Sequence, residues 1–283
     1  MTSRTLYQKL VTMFSENDVT NGGFIAKELI LFYGKKHFSL EYDINSSCEK
    51  QILDGANRVI KGEPIAYIFS QWDFMGRTFF VDKNVLIPRA DTEILVELAS
   101  NEIKKTSALK ALDICTGSGC IAISLALDFE NLYVTALDIS EKALEITEKN
   151  AKEHSVSEKI CIKRLDVLKD TLQTDEKFDI IVSNPPYIKN SDVKMLDKSV
   201  IDYEPTIALD GGESGLIFYE AIAKNFKRNL KENGAIFFES GYDNAEEVAK
   251  ILEQNGYSKI QIKKDLAGNN RVVIAYLERT FNE

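Results

Sequence analysis

The chain has 283 residues, 44% hydrophobic and 28% charged, with a net charge of −9. That is the composition of a soluble globular protein with ample core, in one large domain or two ordinary ones. It argues against a nucleic-acid-coating protein, whose backbone affinity rests on phosphate neutralisation. No apolar run approaches a membrane span, no signal-peptide pattern opens the chain, and a cytoplasmic protein is expected. Cys48, Cys115, Cys120 and Cys161 show no paired spacing, and His37 and His154 are the only histidines. No metal site is expected from such a set.

The first 70 residues read as helices. Leu6, Leu10 and Phe14 recur at i, i+4 and i+8, Ile25 and Leu29 follow, and Ile52, Ala56, Val59 and Ile60 form a third stripe ended by Gly62 and Pro64. Short helices need partners to bury their stripes, so a small bundle over 1–70 is expected. Its eight acidic and eight basic residues cancel, and it holds no catalytic constellation. It is either an elaboration packed on the main sheet or a module that recognises a macromolecular partner.

Residues 72–81 place aromatic runs on either side of Met75-Gly76-Arg77 and predict a hairpin, with Val85-Leu86-Ile87 adding a short strand. Hairpin and strand, 71–87, form a linker to the remainder, 88–283. Asp91 or Thr92 is expected to cap a helix carrying Ile94, Leu95 and Leu98. From about Lys110, strands near 111–114, 132–137, 160–163, 180–183 and 235–238 alternate with helices near 121–127, 140–152, 216–230 and 245–254. A strand pair at 260–262 and 271–276 closes the chain. Strands separated by helices imply an α/β fold, a parallel sheet with helices on both faces.

Two junctions carry chemistry. The first, Asp113-Ile114-Cys115-Thr116-Gly117-Ser118-Gly119, joins a strand to a helix N-terminus, where glycines let the backbone approach a ligand. Asp138 ends the second strand, 21 positions after Gly117, the place for a carboxylate that holds ribose hydroxyls. Gly117 to Ala122 also satisfies the dinucleotide fingerprint, so a nicotinamide-dependent dehydrogenase and an S-adenosylmethionine-dependent methyltransferase stand nearly even on these features. Three others favour S-adenosyl-L-methionine. Asp113 could hold the amino group of a methionine moiety, Asp166 could accept from an adenine amino group, and the second junction offers a site for an NH2 nucleophile.

That second junction is Asn184-Pro185-Pro186-Tyr187, directly after the β-branched run Ile180-Ile181-Val182. Two prolines cannot continue a central strand, and they make a rigid corner at its carboxyl end. A conjugated NH2 group is a poor nucleophile. The Asn184 side-chain oxygen and the Pro185 carbonyl can each accept one of its hydrogens, favouring a tetrahedral nitrogen, while Tyr187 packs on the flat face. A strand-terminating turn of ordinary turn residues is the plainer reading of the same four residues.

GEPIAYI (62–68), LIPRADTEILVE (86–97), LDICTGSGCIAISLAL (112–127), ALDIS (136–140), IIVSNPPYI (180–188) and YEP (203–205) resemble, in order and spacing, the PrmC/HemK family of protein-(glutamine N5) methyltransferases. NPPY alone is shared with DNA adenine and RNA guanine N-methyltransferases; its combination with PRxDTE, the glycine loop and YEP is far more specific. The resemblance implies a seven-stranded class I (Rossmann-like) methyltransferase sheet with a reversed last strand. It implies a helical domain that docks class-one peptide chain release factors, and as substrate the glutamine of their Gly-Gly-Gln loop. It places cofactor binding on Cys115, Thr116, Gly117, Ser118, Gly119, Asp138 and Asn184, with Val167 beside the adenine. The substrate clamp falls on Asn184, Pro185, Pro186 and Tyr187. Cys115 departs from the family's usual glycine; if that position needs a positive φ, the substitution costs ~1 kcal/mol. The alternative, a nucleic-acid base methyltransferase acting on adenine N6 or guanine N2, would use the same corner but would want a basic channel. A monomer without stable nucleic-acid or membrane binding is expected. Glu204 is either a residue behind the site or a solvated loop carboxylate.

Overall fold

The computed structural model describes residues 1–34, 42–107 and 109–278; His37 lies outside them. The chain divides into two compact units, Met1–Gln71 with Asp197–Tyr203, and Trp72–Leu196 with Glu204 onward. Residues 72–87 thus group with the sheet, while a segment from far along the chain joins the helices.

In the helical unit, α1 (Ser3–Glu16) starts at Thr2, whose hydroxyl accepts from Thr5 N at 3.2 Å. It buries Leu6, Leu10 and Phe14 at the spacing of one helical face. The next helix, α2 (Gly22–Gly34), buries Ala26, Leu29 and Ile30. Asn45 caps α3 (Ser46–Ile60), which buries Ile52, Gly55, Ala56 and Val59. A single turn, α4 (Ile65–Phe69), follows Pro64. These faces close one core that also takes in Ile44 and Ile68, each large side chain contributing roughly 1.5–3 kcal/mol.

The second unit begins with the hairpin β1 (Gln71–Phe74) and β2 (Arg77–Phe80). Met75 and Gly76, at φ of 52° and 68°, make its two-residue turn. After α5 (Ala90–Thr106) the units alternate as β3 (Lys110–Ile114), α6 (Cys120–Asp128), β4 (Tyr133–Asp138), α7 (Glu141–Glu153), β5 (Ile160–Arg164) and β6 (Phe178–Ser183). The short helix α8 (Asn190–Val193) and, belonging to the helical unit, α9 (Lys198–Tyr203) precede α10 (Ile217–Asn225), β7 (Leu230–Glu239), α11 (Ala245–Gln254), β8 (Ser258–Lys264) and β9 (Asn270–Tyr276). The seven-stranded sheet has the order β5-β4-β3-β6-β7-β9-β8, with β9 antiparallel to both neighbours and the other adjacent pairs parallel. This is the doubly wound class I methyltransferase architecture with its last strand reversed.

Period-two alternation sorts the strand residues between two cores. Ala111, Val134, Ile180, Val182, Ala235 and Phe237 face one core with α5 and α6 residues. Leu112, Ile114, Ile181, Ile236 and Phe238 face the other, with Tyr219 and Ile222 of α10 and Val248 and Leu252 of α11. Among the described residues no helix is long and apolar enough to cross a membrane.

Three local expectations are corrected. Residues 85–87 form no strand: Val85 bends, and the Ile87 N–H is donated to the Glu204 carboxylate at 3.2 Å instead of to a ladder. Neither Asp91 nor Thr92 caps α5; Arg89 is its N-cap residue, without a side-chain cap, and Thr92 is buried within the first turn. The helix expected over 216–230 ends at Asn225, because a 3-10 turn at Lys227–Asn229 redirects the chain so that Leu230 opens β7.

A Cβ added to Gly55 of α3 would lie 2.7 Å from Leu29 Cδ2, inside the helical core. Ordinarily Gly→Ala in a helix gains up to about 1 kcal/mol. Here we expect Gly55→Ala to lower stability by about 1–3 kcal/mol through overpacking, read as a reduced denaturation midpoint.

Candidate active site

The glycine loop is shaped by its own strand. Alternation along β3 points Asp113 towards α6, where it is fully buried. Its Oδ2 accepts from the Thr116 hydroxyl at 2.6 Å and from the Ala122 N–H at 3.2 Å, tying the loop to the start of α6. Burial pushes this carboxyl up to about 7, against the pull of those two donors. Asp113 does not line the cavity described below; it holds Thr116 and the helix start in place. Cys115 has a φ of 62°, so the departure from glycine falls where an L side chain is strained; its side chain packs at the edge of the second core.

Gly117 and Gly119, at φ of 56° and 79°, complete the turn, and Gly119 is the N-cap residue of α6. A Cβ on Gly119 would meet Thr147 Cγ2 at 2.8 Å. Two α7 residues fasten the loop from outside. Thr147 donates to the Gly117 carbonyl at 2.9 Å, and Asn150 donates to the Ser118 carbonyl at 2.8 Å. The Asn150 amide also exchanges hydrogen bonds with both backbone groups of Phe80, at 2.7 and 3.0 Å, so the hairpin and the loop share one buried side chain. Neither α7 residue is apparent from the sequence, because polar helix residues are ordinarily solvated.

The loop opens on a cavity of about 310 Å³, within the ~300–1,000 Å³ of small-molecule sites. Cys115, Thr116, Gly117, Ser118, Asp138, Asp166, Val167, Asn184 and Pro186 line it together with Arg89, Thr92, Ile139, Leu168 and Phe218. Asp138 accepts from the Gly117 N–H and the Ser140 N–H, both at 2.9 Å, one on each carboxylate oxygen. Burial raises its proton affinity and these donors oppose the rise. Each oxygen keeps a lone pair for a ribose hydroxyl. Asp166 accepts from Leu168 N at 3.1 Å and pairs with Lys169 at 2.9 Å, at the rim beside the buried Val167.

These residues fit S-adenosylmethionine. Acceptors for a diol and an amino group flank an apolar slot of Ile139, Val167 and Leu168, and backbone N–H groups stand at the helix start.

The Asn184 corner lies at the same end of the sheet. Ser183 pairs with Ile114 in the parallel β3–β6 ladder and donates to its carbonyl at 2.6 Å, so Asn184 and Cys115 leave adjacent strands side by side. Asn184 Nδ2 donates to Thr92 Oγ1 at 3.1 Å. Pro185 and Pro186 are buried, and of the two only Pro186 reaches the cavity wall. Tyr187 is turned inward, its hydroxyl 3.4 Å from Glu239 Oε1, and burial beside that carboxyl drives the phenol pKa upward.

The first turn of α5 and its approach explain their polar sequence. Arg89 pairs with Glu204 at 2.6 Å, Asp91 with Arg271 at 3.0 Å, and Glu93 accepts the Met75 N–H at 2.6 Å. Glu204, with its side chain only 2% exposed, is therefore no solvated loop carboxylate. It pins Arg89 at the cavity lip.

Gly119→Ala adds an αL penalty of about 1–2 kcal/mol to the clash with Thr147. We expect a lower melting temperature together with loss of the stabilisation that S-adenosylhomocysteine gives the wild-type chain in a thermal-shift titration.

Residues 90–213 match the family model of the methyltransferase small domain. The chain is 43% identical over 235 residues to the release factor glutamine methyltransferase of Clostridium acetobutylicum, covering 83% of this chain and 82% of that one. It is 38% identical over 277 residues to the release factor glutamine methyltransferase of Flavobacterium psychrophilum, covering 94% of each. Among solved structures, a methyltransferase from Pyrococcus furiosus shares the fold, with a TM-score of 0.51 at 18% identity over 83% of this chain and 100% of that one. With identity of that order over most of both proteins, this chain belongs to the release factor glutamine methyltransferase family.

Proposed function

We propose that the protein transfers a methyl group from S-adenosylmethionine to the side-chain amide nitrogen of the glutamine in the Gly-Gly-Gln motif of class-one peptide chain release factors. The observation that supports this reading is the Asn184 corner: the Ile114–Ser183 register brings Asn184 out beside the glycine loop on the cavity wall, with Pro185 next in the chain.

An amide nitrogen is planar because its lone pair is delocalised into the carbonyl. With Nδ2 committed to Thr92, Asn184 has Oδ1 left to accept one hydrogen of the substrate NH2. Proline's own lack of an N–H does not affect its carbonyl, so Pro185 accepts the other. Two fixed acceptors favour the tetrahedral nitrogen over the planar one, which is stabilisation of the transition state rather than of the ground state. When bound, the cofactor supplies an electrophilic sulfonium methyl. No strong base is required, because the nitrogen becomes acidic only as the new bond forms, and neither Asp113 nor Asp138 is assigned as one. Tyr187 borders the corner as an apolar ring anchored by its hydroxyl.

Asp138 is assigned to the ribose, Asp166 and Val167 to the adenine edge and face, and the 115–119 loop to the rest of the cofactor. The helical unit, whose described residues do not line the cavity, is assigned to recognition of the release factor.

The test is transfer of labelled methyl from S-adenosylmethionine to purified release factor, with the modified residue mapped by mass spectrometry. Label on the motif glutamine, absent from a Gly-Gly-Gln→Gly-Gly-Ala factor, is the expected result. Asn184→Ala should lower kcat about 10²–10³-fold while S-adenosylhomocysteine still binds. Label on nucleic acid instead would make the enzyme a base methyltransferase with the same fold.

A further inference from the structure

Glu239 takes no part in the transfer just described, yet it lies directly behind the corner. Alternation along β7 sets Phe237 in the α5-side core and Phe238 in the other, so Glu239 turns back towards α5. It is 1% exposed. Tyr187 donates to its Oε1 at 3.4 Å, and Oε2 accepts no hydrogen bond among the described residues. The Thr92 hydroxyl lies near enough to lower the proton affinity of this carboxyl, though it is not within bonding geometry of either oxygen, and its own oxygen accepts from Asn184 Nδ2 at 3.1 Å. Tyr219 of α10 donates to the Glu239 main-chain carbonyl at 2.8 Å and fixes the strand end. A carboxylate buried to this degree, with one oxygen unpaired, is costly unless a neighbouring donor turns to it.

A carboxylate only accepts, so Tyr187 donates to it, and a Thr92 hydroxyl that rotates to satisfy the open Oε2 donates to it as well. With its proton committed, the Thr92 oxygen can only accept. The Asn184 amide must therefore present NH2 to Thr92 and keep its carbonyl oxygen for a ligand. We propose that Glu239 is a positioning residue for methyl transfer: through Thr92 its carboxylate fixes which end of the Asn184 amide meets the substrate nitrogen, and through the Tyr187 hydroxyl it holds the far end of the corner. The proposal rests on the glutamine-methylation reading above.

Burial pushes the Glu239 carboxyl up to about 7, with Arg271 of β9 lowering it and Asp91 of α5 raising it; Tyr187, Tyr219 and Cys120 of α6 also face it. Arg271 is shared with Asp91 at 3.0 Å and Asp265 at 3.2 Å. When Glu239 is protonated it becomes a donor, Thr92 can accept from it and donate to Asn184, and the amide can turn over. Because the active form is the carboxylate, activity falls as pH drops through the region of 7.

The experiment measures kcat and KM for the release factor between pH 6 and 9 for the wild-type enzyme, Glu239→Gln, Glu239→Ala and Thr92→Val. S-adenosylhomocysteine affinity is measured by calorimetry and the melting temperature recorded for each. The amide in Glu239→Gln can still accept from Thr92 but does not titrate, so kcat at pH 8 should fall by less than about tenfold and the acid limb should vanish. Glu239→Ala and Thr92→Val should lower kcat about 10–100-fold, the cost of misplacing one fixed acceptor, with KM and cofactor affinity within about threefold. Should Glu239→Ala not fold, the other two variants decide. An acid limb that persists in Glu239→Gln, or kcat unchanged in Thr92→Val, overturns the inference. A wild-type enzyme that binds S-adenosylhomocysteine but labels no release factor overturns the functional reading first, and the inference with it.

Discussion

The site depends on one register. Because Ser183 of β6 stands opposite Ile114 of β3, the chain leaves two adjacent parallel strands at the same level. From β3 it turns through the glycine loop into α6, and from β6 it turns through two prolines. β3 also pairs with β4, so the crossovers leave this strand in opposite directions and open a crevice at its carboxyl end. A slip of one residue between β3 and β6 would move Asn184 about 3.3 Å along the strand and turn Ser183 and Val182 to the wrong faces. The two large buried cores on either side of β6 prevent that slip.

The first turn of α5 and its approach perform a second kind of work. Arg89, Asp91, Thr92 and Glu93 lie next to one another in the chain, yet they bond Glu204, Arg271, Asn184 and the hairpin turn at Met75. Four segments scattered over the chain thus converge on about one helical turn. The arrangement gives the corner a polar support in a region where apolar packing alone would leave the Asn184 amide free to rotate. In such a low-dielectric setting each fully paired group adds rigidity, and each unpaired one is costly.

Much of the sheet was legible because it rests on local patterns. β-branched runs, helical stripes, the glycine turn and the proline corner announce themselves within ten residues, and the seven strands fall close to where alternation places them. The motif resemblance supplied the single seven-stranded sheet and the reversed last strand. What escaped depends on contacts between residues far apart in sequence. Residues 85–87 look like a strand until Glu204 takes the Ile87 N–H, and Thr92 looks like a cap until Asn184 claims it. Glu239 did leave a signal, a lone carboxylate ending the apolar run Ala235-Ile236-Phe237-Phe238. Such a residue is costly to bury without a purpose.

The most direct measurement is a crystal structure of the enzyme bound to S-adenosylhomocysteine and a release factor. The motif glutamine is expected in the cavity, its side-chain nitrogen within hydrogen-bonding distance of Asn184 Oδ1 and the Pro185 carbonyl and in line with the cofactor sulfur, with Asn184 Nδ2 still on Thr92. A glutamine nitrogen held by other groups, or seated away from the Asn184 corner, would contradict it.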